Sequence, residues 1–517
     1  MTSMKNGIPA DRPKKVKDVR AAVQKTFFLA VFALIVSFSV MTDLSPERLI
    51  GGAFIAFVLL FILYRDIMRY KPSYITNYNM FLLLGLMIVS TIVIGRSFEF
   101  LLQSLSKGLG SVAGDTAIYG IPIAAGAMLV ALLFDFHTSI TFSFTISLLT
   151  GFWLNDPYYP VYTFVSSLTA AFSVIRCKKR SALLRGGLYV VLANVVLVLI
   201  LLLTKDQFNL TKVIPALLFA VFSGITVSAI VSMLLPFLEY AFTITTDISL
   251  LELLDLNQPL MKSLMITAPG TYHHSVIVGN LVESAAEAVG VNPLLARVSS
   301  YYHDIGKIKM PEYFVENQAG GPSKHDKLTA HMSSMIITSH VKEGVELARQ
   351  FKLPQTVIDI IKQHHGSSLI TYFYQKAKEQ EQEHEPIAAE DYKYPGPKPQ
   401  TRVAALVMMA DAVEAASRVL SDPTPARITA LVDRIINHIF LDGQLDECEL
   451  TLKDISEVKQ RFTYILTGIF HRRIDYPGFD FGNGTTPKEP AKGDKTKPQE
   501  DRKGFTQGAY PARSAQG

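Results

Sequence analysis

Long apolar runs recur between residues 26 and 236, and nothing else in the chain restricts its fold as strongly. They fall near 26–42, 49–64, 80–96, 117–135, 138–155, 160–176, 184–204 and 213–236. Lipid offers no water to backbone N–H and C=O groups, so segments of this kind fold as helices. A bilayer core of ~30 Å takes about 20 helical residues, and several runs are slightly short but extendable. The expectation is a membrane domain of about eight transmembrane helices over 26–236. A secretory signal is the competing reading of 1–42, because a basic stretch precedes the first apolar one. No small-residue cleavage site follows Val40 and further spans come at once, which favours an uncleaved first helix.

Loop charge gives the orientation. Lys and Arg gather in 1–25, in 65–71 and in 176–185, whereas 43–48 holds only Arg48, 97–116 only Lys107 and 156–159 none. Alternate loops therefore carry the positive charge, which places them and both termini in the cytosol and requires an even number of spans. No Asp, Glu, Lys or Arg is expected well inside a span apart from Asp115. That scarcity points to an anchor or sensor and away from a transporter.

The apolar share of 49% averages this half with a soluble one over 250–476. A net charge of +5 is too small over 517 residues to argue for a nucleic-acid polymer as partner. Cys177 and Cys448 match no metal-binding spacing and read as free cytosolic thiols. Residues 1–25 read as a basic cytoplasmic tail, 237–269 as an amphipathic connector, 270–476 as a cytosolic domain and 477–517 as a disordered tail.

The soluble half shows helical periodicity and no strand-like alternation, so the fold class is all-α: a polytopic helical membrane domain followed by an all-α soluble domain. His274 falls in the first turn of one helix. A second, Pro293 to Tyr302, ends at His303-Asp304 and is stopped by Gly306. A third, Leu328 to Ser339, puts His340 near its C-terminus. A fourth, opened by Pro354, ends in His364-His365-Gly366, and a fifth, Thr401 to Leu420, carries Asp411 in its middle. Two more close the domain near 426–440 and 451–470.

Eight of the chain's twelve histidines lie between His273 and His365. Imidazole with carboxylate suits Fe, Mn or Zn, and the lack of cysteine argues against a structural zinc site. Two ions ~3.5–4 Å apart can hold a bridging hydroxide, clamp a phosphate and stabilise a leaving oxygen, which suits phosphodiester hydrolysis. His273 is expected on the surface or beside a ligand. Tyr372, Phe373 and Tyr374 read as core packing or as a platform for a base.

The order of these residues resembles the HD phosphohydrolase superfamily, and more closely the bacterial seven-transmembrane HD family of cyclic di-AMP phosphodiesterases. The stretches that carry the likeness are ITTDISLLELLDLNQPL, APGTYHHS (268–275), YHDIGKIKMPEYFVENQ (302–318), MIITSHVKEG (335–344), QHHGSSLITYFYQKAKE (363–379) and YPGPKPQTR followed by ADAVEAASR (394–418). The resemblance implies that His274, His303, Asp304 and Asp411 hold one metal, and that Asp304 bridges to a second held by His340, His364 and His365. It implies two divalent ions (iron or manganese), cleavage of cyclic di-AMP to linear pApA by a metal-bridging hydroxide, and a multi-pass protein of the bacterial inner membrane. Lys307 is a candidate for charge stabilisation at the phosphate, and no side chain stands out as general acid. A homodimer stays open.

Better-known members insert a large extracellular domain after the first helix, where this chain has only Thr42 to Arg48. The rival readings are a cyclic di-GMP or other nucleotide phosphohydrolase of the same superfamily, and a membrane receptor that binds nucleotide without cutting it. The sequence HHGSSLITYFY lacks the acidic residue and Gly-Tyr-Pro signature of the cyclic di-GMP subgroup. All seven ligand positions are filled, which counts against the receptor.

Overall fold

The apolar runs fold as helices, as their solvent demands, and so do most of the described residues after them. The structure, a computed structural model, describes residues 12–41, 45–108, 112–175, 177, 179–318, 322–380 and 387–470. The expected tail at 477–517, residues 1–11 of the basic tail, and Arg176 and Lys178 of the basic loop lie outside these. No strand forms among the described residues; the one ladder-like contact is an isolated bridge between Leu369 and Lys393.

The membrane half contains α1 (Arg12–Val40), α2 (Pro46–Tyr70), the short α3 (Pro72–Thr76), α4 (Tyr78–Gly108), α5 (Ala124–Leu133), α6 (Phe136–Leu154), α7 (Tyr159–Val174), α8 (Ala182–Thr204) and α9 (Leu210–Phe242). Among the described residues, six stretches are long and apolar enough to cross a membrane: Val23–Val40, Pro46–Tyr70, Tyr78–Lys107, Asp115–Leu133, Ala182–Thr204 and Leu210–Phe242. Two of the eight expected spans fall short of that standard. With 16 residues, α7 is only ~24 Å long. The 19-residue α6 carries Thr138, Ser139, Ser143, Thr145, Ser147 and Thr150 on its buried side, which lowers its hydropathy.

The fourth stretch is broken. A 3₁₀ segment, Val112–Gly120, gives way at Ile121-Pro122 to α5, because proline has no N–H to continue a ladder. The carbonyls left over are taken up by hydroxyls of other helices. Tyr159 donates to Ile118 O at 2.9 Å, Tyr162 to Tyr119 O at 2.8 Å and Ser223 to Ile121 O at 3.1 Å. Backbone of this kind is tolerated at membrane depth only where protein satisfies it.

One expectation needs correction. Because α4 runs on to Gly108, Arg96 and Glu99 lie inside a membrane stretch, and Asp66 lies inside α2. They are not left alone in lipid. Arg96 meets Glu99 at 3.1 Å and donates to Ser39 O, Trp153 Nε1 donates to Glu99 at 2.8 Å, and Asp66 accepts from Thr141. Pairing of this sort is how charge survives there.

The last membrane helix, α9, is 33 residues long and overshoots the expected boundary at residue 236. It leads through α10 (Asp247–Leu253) and α11 (Pro259–Thr267) into the soluble domain. That domain contains α12 (Pro269–Val289), α13 (Pro293–Tyr302), α14 (Ala330–Gln350), α15 (Gln355–Gln363), α16 (Thr371–Glu379), α17 (Arg402–Ser417), α18 (Pro425–Leu441) and α19 (Leu452–Ile469). Asn292, Thr329 and Thr401 cap α13, α14 and α17 through their side chains. A core that includes Val298, Tyr302, Ile305, Val357 and Ile361 fixes the ends of α13 and α15, from which four of the expected ligands project.

Candidate metal centre

Each expected ligand owes its direction to a local backbone feature. His303 and Asp304 follow the last turn of α13, and a 3₁₀ segment, Ile305–Lys309, turns the chain away at once. Gly306 makes that turn possible. A Cβ there would stand 1.8 Å from the His340 carbonyl oxygen and 2.6 Å from Gly344 N, so the chain after Asp304 lies against the backbone of α14. Gly306 was expected only as a helix stop; its work is close approach. His340 sits in the middle of α14, not near its end as expected, because Gly344 does not stop the helix but faces Gly306 from inside it.

Seven side chains converge into two groups. Asp304, His340, His364 and His365 form one, and His274, His303, Asp304 and Asp411 the other. Within each group the candidate donor atoms lie within 4.8 Å of one another, and Asp304 belongs to both. His274, His303, Asp304, His340 and His364 are buried, and Asp411 is nearly so. His303 Nε2 and both Asp304 carboxylate oxygens are buried without a hydrogen bond. Lys307 Nζ stands 2.6 Å from Asp304 Oδ2, but as an ion pair whose angles do not suit a hydrogen bond. Polar atoms left bare in a dry site cost several kcal/mol (~1–3 each) unless something else meets them, and a cation does.

The imidazoles are held in one tautomer by their other nitrogens. His303, His340 and His364 turn Nδ1 to the carbonyl three residues earlier (Ser300, Ile337 and Ile361) at 2.6, 2.6 and 2.7 Å. Their Nε2 atoms are thereby left to the centre. His274 finds Glu414 instead, at 2.5 Å, while its Nε2 lies 2.9 Å from Asp411. Glu414 is held in turn by Arg418 at 2.6 Å. His365 is the exception. It presents Nδ1, 3.6 Å from Asp411, and its ring stacks on half-buried Tyr394 at 4.2 Å.

The electrostatics follow from burial and charge. Burial would raise the Asp304 and Asp411 carboxyls, but Lys307 with His303 beside the first, and His274 with His303 beside the second, hold both well below the usual range. Burial lowers His340 to about 4, with Asp304 only partly offsetting it, and drives His365 well below its ordinary value. His303 goes the other way. Burial opposes its charge, yet Asp304 and Asp411 raise it to about 10. Lys307 is buried against Asp304 and against Glu316 at 2.9 Å, and these two carboxylates outweigh its desolvation and raise its pKa.

Sequence reasoning passed over Glu414, although Asp411, Glu414 and Arg418 at three- and four-residue spacing on one helix face were the available signal. It also passed over Tyr394 and Glu316. His273 is exposed and stands outside both groups. Phe373 is buried in a satellite core with Ala330, Ala377 and Tyr392, whereas Tyr372 is 71% exposed. His325 is buried and meets the Tyr313 carbonyl, so it is a packing residue.

Comparison with known proteins agrees with this architecture. Residues 46–246 match the model of a family described as 7TM receptor with intracellular HD hydrolase, and residues 271–416 match that of the HD domain. The chain is 41% identical over 367 residues to the cyclic-di-AMP phosphodiesterase PgpH of Bacillus subtilis (strain 168), covering 69% of this chain and 51% of that protein. It is 41% identical over 363 residues to PgpH of Listeria monocytogenes serotype 1/2a (strain 10403S), covering 69% and 50%. The chain thus spans about half the length of the curated relatives it matches. A crystal structure of the L. monocytogenes PgpH HD domain in complex with cyclic-di-AMP is 47% identical, covering 42% of this chain and all of that one, with a TM-score of 0.40. The donor set of the two groups is that of a divalent-metal centre, as an HD domain implies. With a helical membrane domain and an HD domain matched in this order, the chain belongs to the family of seven-transmembrane receptors with an intracellular HD hydrolase.

Proposed function

We propose that this protein is a membrane-bound phosphodiesterase that opens cyclic di-AMP to linear pApA. The observation that carries the reading is the pair of four-residue donor groups sharing Asp304, built in a domain related to PgpH phosphodiesterases. His274, His303, Asp304 and Asp411 hold one ion, and Asp304, His340, His364 and His365 the other. Iron or manganese suits a set of five imidazoles and two carboxylates without thiolate. When bound, the ions supply Lewis-acid chemistry to the phosphodiester.

The chain's own residues prepare that chemistry. Lys307 keeps Asp304 ionised, so the one carboxylate common to both groups offers both oxygens. Glu414 holds a proton on His274 Nδ1, and the three backbone carbonyls do the same for His303, His340 and His364. Lys307 already has two carboxylate partners, so its part is to position Asp304; the role at the phosphate expected from sequence gives way to this one.

The catalytic domain and both termini face the cytosol, with α6 and α7 completing eight spans. Their outward apolar residues, Phe144, Phe152, Val161 and Phe172, are each about half exposed and suit lipid. The full chain, loaded with manganese or iron in detergent, is expected to convert cyclic di-AMP to pApA, and the His303→Ala/Asp304→Ala variant to lose the activity. Cleavage of cyclic di-GMP in its place would move the protein to the rival enzyme class. Tight binding without turnover under either metal would favour a receptor.

A further inference from the structure

Outside the metal centre, a cavity of about 760 Å³ lies where α9 leaves the bilayer. Its walls come from both halves of the chain: Arg180 of the α7–α8 loop, Glu239 and Tyr240 of α9, Glu252 of α10, and Arg349 and Lys352 at the end of α14. Its depth follows from α9. Residues 213–235 supply ~34 Å of helix, enough to fill a bilayer core, so Pro236 onward stands among headgroups. Phe237 and Tyr240, 63% and 80% exposed, sit at that level as interfacial aromatics do.

The charges in the cavity are unequally matched. Arg180 takes both carboxylates, with Nε 2.8 Å from Glu252 and Nη2 3.2 Å from Glu239. Thr246 closes on the remaining Glu239 oxygen. Arg180 Nη1 stays buried without an acceptor. Arg349 and Lys352 are exposed on the cavity wall, and among the described residues neither side chain has an anionic partner. Lys352 follows α14 in the left-handed region, φ 56°, which turns the chain so that it lines the same space as Arg349 one turn earlier.

We propose that this cavity binds the headgroup of an anionic phospholipid. Arg349 and Lys352 hold its phosphodiester, and the acyl chains run back along exposed Phe237 and Met233. The lipid then bridges the HD domain to the membrane in which the chain is anchored. This inference is independent of which nucleotide the metal centre cuts.

The test uses the full chain in detergent micelles with equal phosphatidylglycerol and phosphatidylcholine, with the co-purified lipid quantified by mass spectrometry. Phosphatidylglycerol should be enriched, and Arg349→Gln/Lys352→Gln should reduce the enrichment about fivefold per cation. Arg349→Lys/Lys352→Arg should restore it, and Arg434→Gln on α18 should leave it unchanged. All these positions are exposed, and matched melting temperatures check that the variants fold. No preference in the wild type, or a preference that survives the double variant, would overturn the site. If glycerol phosphate binds in a manner the double variant abolishes while neither lipid is preferred, the occupant is a free phosphoester and the lipid assignment falls.

Discussion

Glu414 shows how much of a metal centre lies one bond beyond its ligands. Four histidines in the centre have the second nitrogen engaged, three by backbone carbonyls that no substitution can remove and one by this carboxylate. Glu414→Ala is therefore expected to weaken binding of one of the two ions about 10–100-fold and to leave the other nearly unaffected. Glu414→Gln, which still offers an oxygen to the imidazole N–H, should retain part of the affinity. Metal titration of the purified chain with two-site analysis measures both. The seven side chains that converge in the two groups, and their order, were legible in the sequence because metal chemistry limits the side chains that can serve. Glu414, Glu316 and Tyr394 were not, since a single charged or aromatic residue has many ordinary explanations until the fold shows what it touches. Lys307 was legible as a residue of the site, expected to stabilise charge at the phosphate, but its two carboxylate partners were not.

At the scale of elements, apolar periodicity located the helices well and their ends poorly. The third helix was read as ending at Ser339, but α14 continues to Gln350 with Gly344 as an interior packing glycine. A pattern of hydropathy carries no record of what another backbone requires nearby. The same holds for the break before α5, whose stability rests on three hydroxyls from α7 and α9. Gly306 permits a sharp test. Gly306→Ala places a methyl 1.8 Å from the His340 carbonyl, which forces the segment after Asp304 off α14. Misplacement of about 1 Å can cost ~10²-fold in rate, so phosphodiesterase activity should fall by at least about that much. The group containing His340 should lose its ion first. A crystal structure or metal count of the variant, taken with its melting temperature and compared with Gly468→Ala at an exposed glycine of α19 where a Cβ meets open space, separates this from general destabilisation.

For the whole molecule, the composition contrast between 26–236 and 250–476 made the two-part organisation legible, and loop charge gave an orientation that can be checked directly. A cysteine replacing Phe208 between α8 and α9 should react with a membrane-impermeant maleimide in intact cells. One replacing Tyr372 in the HD domain should react only after permeabilisation. The reverse pattern would invert the topology.

The two parts are joined by α9, a rod ~50 Å long of which only ~30 Å can lie in the hydrocarbon. Just beyond its inner end, α10 hands the Leu253 carbonyl to Tyr302, at 3.0 Å, the residue that precedes His303. A rod of fixed length stands straighter in a thicker bilayer and leans in a thinner one. A lean of about 5° about the outer end swings the inner end through ~4 Å. Bilayer thickness is thus geared to a stroke comparable with a metal–metal spacing, delivered one residue away from the ligands.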